Sequence, residues 1–117
     1  MSHPGWIDDL FAAIDAEDAE RFVSHLTDDA EFRLGNLSPV QGRESIHAAV
    51  SGFWSSIQSS SHEIEEVWQT PQGVMCRGKV RYVRHDGSDV TIPFANVFHM
   101  AGERISRYLV YGDFSEL

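Results

Sequence analysis

With 117 residues, 42% of them hydrophobic and 11% aromatic, the chain is long enough for one packed domain (1–117) and too short for two. Eighteen acids against nine bases, of which only Lys79 is a lysine, give a net charge of −9 that would repel a phosphate backbone, so nucleic acid is not an expected partner. The single cysteine, Cys76, excludes an intramolecular disulfide and a cysteine-based zinc site, and the lack of a membrane-length apolar run or a basic-then-apolar leader points to a cytoplasmic protein without a membrane partner.

Residues 6–16 place Trp6, Leu10, Ala13 and Ile14 at helical spacing, and 18–26 do the same with Phe22, Val23 and Leu26. Nine acids between Asp8 and Glu31, Asp15 among them, read as the solvated face of these two helices. Alternation in 28–34 (Ala30, Phe32, Leu34) predicts a short strand that ends at Gly35-Asn36 and a loop containing Pro39. A third and longest helix is predicted over 43–57, with Ile46, Ala49, Val50, Phe53 and Ile57 on one stripe. From 62 onwards the chain reads as four strands, HEIEEVWQ, GVMCRGKVRYVR, DVTIPFANVFHM and RISRYLVYGDF, separated by the turn formers TPQG, HDGS and AGE. Three helices followed by an antiparallel meander predict an α+β fold, with the helices packed on one face of a strongly curved, mainly antiparallel sheet.

This order, and the segments LTDDAEFRLGNLSPVQGRESI, VRYVRHDGSDVTIPFANVFHM and RISRYLVYGDF, resemble the SnoaL-like branch of the nuclear transport factor 2 and ketosteroid isomerase superfamily. The resemblance implies a cone-shaped fold, a pocket between the long helix and the concave sheet face, and frequent dimerisation through the convex face. Its members include isomerases, polyketide cyclases, epoxide hydrolases and dehydratases as well as non-enzymatic binders, so the fold alone assigns no function. Similarity to ketosteroid isomerases places Asn96 at their oxyanion-hole acid, while the base and the tyrosine of those enzymes fall at Leu34 and near Leu10, both apolar. The Asp-Arg-Asp positions of limonene-type epoxide hydrolases read Lys79, Arg81 and Val110, and the pocket acid of the polyketide cyclases falls at Val110 as well, with Asp113 the nearest acid. The same placement turns Tyr108, Val110 and Arg81 towards the pocket and leaves Val80, Tyr82, Val97 and Leu109 on the convex face, where they would form a homodimer contact.

Asn96 shares a parity with Phe94 and Phe98, so an otherwise aromatic face carries one amide that needs a partner, either a neighbour or a ligand. Tyr108 could donate to a developing oxyanion or merely satisfy a carbonyl. Trp54 and Trp68 read as core or as pocket walls, and His62 as an acid or base of a type that works near neutrality. Asn36 sits either at the pocket rim or in a simple turn. Asp113 would reach the pocket only if a bulge at Gly112 reversed the strand's parity; there, desolvation would raise its pKa and fit it for acid or base work with Tyr108 and Asn96. The histidines show no metal-ligand spacing, and no phosphate loop, dinucleotide fingerprint or nucleophile elbow occurs, so neither a metal nor a cofactor is expected. The functional readings are an isomerase, cyclase or lyase acting by proton transfer on a small apolar carbonyl-bearing molecule, a binder of such a molecule without turnover, or a dimerising module with a filled pocket.

Overall fold

Apolar side chains at helical spacing set the first half of the chain, and alternation sets the second. The computed structural model describes residues 3–117 and contains α1 (Gly5–Asp15), α2 (Ala19–Val23), β1 (Leu26–Leu34), β2 (Val40–Gln41), α3 (Arg43–Ser55), β3 (Ser59–Gln69), β4 (Gly73–Val83), β5 (Asp89–Ala101) and β6 (Arg104–Gly112). The second helix is shorter than its periodicity predicts: Asp18 caps it by accepting from the Arg21 amide, and Leu26, expected in the helix, instead opens β1. The two-residue strand β2 was not anticipated; it adds an edge to β1 through Glu31↔Gln41 and Phe32↔Val40.

One six-stranded sheet runs in the order β2-β1-β6-β5-β4-β3, antiparallel throughout except where β1 lies parallel to β6. All three helices cover one of its faces: Ile7, Leu10, Phe11 and Ile14 of α1, Phe22 of α2, and Ile46, Val50 and Trp54 of α3 are buried against that face. Fold class and helix number are thus as expected from the sequence.

The inward parity corrects the expected one on β4. Val74, Cys76, Val80 and Tyr82 are buried, whereas Lys79 and Arg81 stand outward, so Val80 and Tyr82 belong to the concave face and not to a convex patch. The reason is energetic: two of the few large apolar side chains of this strand must lie beneath the helices, and the cations gain water and acids outside, Arg81 with Asp89 at 2.8 Å. On β5 and β6 the reading stands, with Phe94, Asn96, Phe98 and Tyr108 inward and buried.

A bulge between Ile64 and Glu66 reverses the parity of β3. Ser60, His62 and Ile64 face the helices before it; Val67 does so after it, which turns Trp68 outward to 43% exposure. Opposite Ile64 stands Gly78, where a Cβ would lie 1.8 Å from the Glu63 carbonyl oxygen, so glycine is what admits this close approach.

Candidate functional site

Between α3 and the concave face lies a cavity of ≈ 160 Å³. Its walls are apolar except for Ser38, His62, Tyr82, Asn96 and Tyr108. His62 comes from β3 and Tyr82 from β4; the register Ser60↔Tyr82 and His62↔Val80 makes them diagonal neighbours on one face. Asn96 and Tyr108 come from β5 and β6, one or two strands further across the sheet.

His62 is held on three sides. Its Nδ1 lies 2.6 Å from Asp15 Oδ1, its backbone N–H donates to Asp15 Oδ2 at 2.9 Å, and its ring packs on Phe11 and edge-on to Phe94 at 5.1 and 5.3 Å between centroids. A carboxylate only accepts, so Nδ1 carries the proton, and Nε2 is the ring nitrogen without a hydrogen-bond partner among the described residues. Ser60 Oγ adds a third donor to Asp15 at 3.0 Å. Burial pushes the Asp15 carboxyl up, but the His62 ring, the His62 amide and the Ser60 hydroxyl outweigh it and keep the group below the ordinary carboxylate value.

Burial, and the Asp15 charge after it, raise Tyr82 far above an ordinary phenol, so it stays a protonated donor. Among the described residues its hydroxyl has no hydrogen-bond partner, and its ring packs on Phe53 and Phe114. Tyr108 is 2% exposed, surrounded by Phe22, Phe32 and Phe98, and burial likewise raises its pKa well above the usual phenol value. Asn96 Nδ2 donates to the Tyr108 hydroxyl at 3.4 Å, and Asn96 Oδ1 is buried without a partner. Leaving such an acceptor unmet costs about 1–3 kcal/mol.

Six residues expected at the site line the cavity: Trp54, His62, Phe94, Asn96, Tyr108 and Val110. Five do not. Asp113 is exposed, because Gly112 continues β6 in register with Phe94 and has no positive φ, so no parity-reversing bulge forms. Its carboxylate accepts from the Ser115 hydrogen-bond donors of an Asx turn, and this lowers its pKa instead of raising it. That turn brings Phe114 back over the cavity, its ring 3.1 Å from where a Gly112 Cβ would lie. Arg81 and Trp68 are on the convex face for the reasons of parity given above. Phe98 is fully buried in the core between Trp6 and Tyr108, outside the cavity wall. Asn36 is exposed in a turn whose Gly35 takes φ +56°, on an outer groove and not on the cavity.

Asp15 and Tyr82 were not legible as site residues. One signal for Asp15 exists: it ends α1, where the helix carbonyls make the potential negative and no basic side chain stands in the last turn. An acid there is a local misfit that asks for a partner from elsewhere.

The SnoaL-like domain family matches residues 7–108, and the chain belongs to it. Solved structures share the fold at low identity. A hypothetical protein with a ketosteroid isomerase-like fold from Catenulispora acidiphila DSM 44928, in complex with trimethylamine, superposes with a TM-score of 0.89 at 15% identity, over 97% of this chain and 89% of that one. A protein from Jannaschia sp. CCS1 provisionally classed as a SnoaL-like polyketide cyclase gives 0.82 at 16%, over 94% and 84%. An LEH-like epoxide hydrolase of M. tuberculosis gives 0.79 at 16%, over 93% and 80%. No curated protein sequence matches significantly. Among the described residues no helix is long and apolar enough to cross a membrane.

Proposed function

We propose that this protein is an isomerase, cyclase or lyase that moves a proton on a small, mainly apolar, carbonyl-bearing molecule, with His62 as base and Tyr82 as donor to the developing oxyanion. The observation that carries the reading is the Asp15–His62 contact at 2.6 Å at the wall of an apolar cavity. Asp15 fixes the ring orientation and tautomer, so Nε2 presents a lone pair to the cavity; as Nε2 takes a proton, the same carboxylate stabilises the imidazolium. Removal of a proton next to a carbonyl puts negative charge on the carbonyl oxygen. The protonated Tyr82 hydroxyl, diagonal to His62 on the same sheet face and without a protein partner among the described residues, is the donor we assign to it. The step uses these side chains alone.

The test is deuterium incorporation at the carbon next to the carbonyl of small cyclic ketones, followed by NMR in D₂O. Exchange above the buffer rate is expected, falling by about 10²–10⁴-fold in His62→Gln. Exchange no faster than buffer, with the ketone bound, would leave the second reading, a binder without turnover. That reading is favoured by the outward direction of Asp113.

A further inference from the structure

We infer that the molecule taken by the cavity is a hydroxylated carbonyl compound of a single ring, its hydroxyl held by Asn96 and Tyr108. This rests on the cavity being the substrate site, as proposed above. Size limits the number of rings. A cavity of ≈ 160 Å³ compares with the apolar cavity of about 150 Å³ that takes up benzene, so its size matches one six-membered ring. Walls such as Trp54, Val80, Phe94 and Val110 suit a hydrocarbon face.

The polar anchor follows from the pairing of Asn96 and Tyr108. Asn96 is 2% exposed, its Nδ2 donates to the Tyr108 oxygen at 3.4 Å, and its Oδ1 lacks a partner. A carbonyl cannot pair with that oxygen; a donor can. The Tyr108 hydroxyl accepts from Asn96 and so keeps its own proton to give. A ligand hydroxyl answers both, donating to Oδ1 and accepting from Tyr108. The contact of 3.4 Å is long and the terminal torsion of asparagine is soft, so the amide can turn to meet a ligand. Phe94 lies between this anchor and the base: it precedes Asn96 by two on the same face of β5 and meets the His62 ring edge-on. A ring anchored at Asn96 and lying on Phe94 presents its far side, with the carbonyl and the acidic C–H, to His62 and Tyr82.

The probes are phenol, toluene, benzaldehyde and 1-naphthol, titrated into the full chain by calorimetry. Phenol is expected to bind about tenfold tighter than toluene or benzaldehyde, and 1-naphthol at least about tenfold weaker than phenol. In Asn96→Leu the advantage of phenol over toluene disappears while toluene affinity stays within about twofold. Asn96→Ala serves the same comparison if leucine disturbs the packing. Benzaldehyde binding as well as phenol, 1-naphthol binding as well as phenol, an unchanged phenol preference in both variants, or no binding of any probe overturns the inference. The phenol pattern without ketone exchange removes the proton-transfer reading and leaves this one; exchange without the phenol pattern does the reverse.

Discussion

Asp15, the last residue of α1, is hydrogen-bonded to Nδ1 of His62 in β3, 47 residues further along the chain. The pair ties the end of a helix to an edge strand and sets the imidazole in an aromatic slot formed by Phe11 and Phe94. It stabilises the fold as well as orienting the ring. Asp15→Ala leaves the Ser60 hydroxyl, the His62 amide and His62 Nδ1 without their acceptor, and a loss of about 2 kcal/mol is expected in urea denaturation at neutral pH. The folded-state pKa of Asp15 is depressed below its ordinary 3.8, so its contribution is present above that value and is lost as the pH falls through the lowered one. The difference between wild type and variant is therefore expected to be full at neutral pH and to shrink in strong acid. A constant difference across that range would contradict the linkage.

Tyr82→Phe removes a single hydroxyl with no protein partner among the described residues, so the fold is expected to hold while ketone exchange falls by about 10²–10³-fold. Measuring the exchange rate together with the unfolding midpoint separates the two effects. An unaltered rate would remove Tyr82 from the chemistry and leave its ring a packing group against Phe53 and Phe114.

Asp113→Asn is expected to change neither the exchange rate nor probe affinity, because the carboxylate is outside the cavity and caps its own turn through Ser115. Phe114→Ala, by contrast, opens the cavity mouth and should weaken toluene binding about tenfold. Calorimetric titration of both variants checks this contrast.

The convex face carries a cross-strand row, Trp68, Met75, Val97 and Leu109, in which Trp68 and Met75 are each 43% exposed and Leu109 only 9%, with Tyr111 beside it 55% exposed. We propose that this row, which differs in two of its members from the one expected on parity, is the contact of a homodimer. Light scattering at micromolar concentration is expected to give a dimer, and Met75→Glu a monomer; a monomeric wild type would refute the assignment.

Gly78→Ala places a Cβ against the backbone of the β3 bulge and is expected to destabilise by about 2–4 kcal/mol, read from urea denaturation. A neutral effect would mean that the bulge relaxes, and with it the parity that sends Trp68 outward.

Periodicity made α1, α3 and the four long strands legible, because helices and strands bury one face by local spacing alone. It also put Phe94, Asn96 and Phe98 on one face, since β5 alternates without interruption where these residues lie, while the inward direction of Tyr108 came from the family resemblance. Where an irregularity intervenes, local spacing loses the answer. Trp68 shares a parity with His62 on paper, and one bulged residue separates their faces in the fold. For Asp113 the reverse holds: a bulge at Gly112 was conceivable from the residue type, and the regular pairing with Phe94 decides against it.

By itself, then, the order of apolar spacings determined an α+β chain with three helices and a meander, and the single amide on an aromatic strand face marked Asn96 as a group in need of a partner. Tertiary structure alone decided which acid meets His62. Asp15 stands among nine acids of the first 31 residues with no local feature of strength to set it apart, and only the packing of α1 on β3 brings its carboxylate to His62. The physical reason is that burial of one face is a local constraint repeated along the chain, whereas a hydrogen bond between residues 47 apart exists only once both elements have docked.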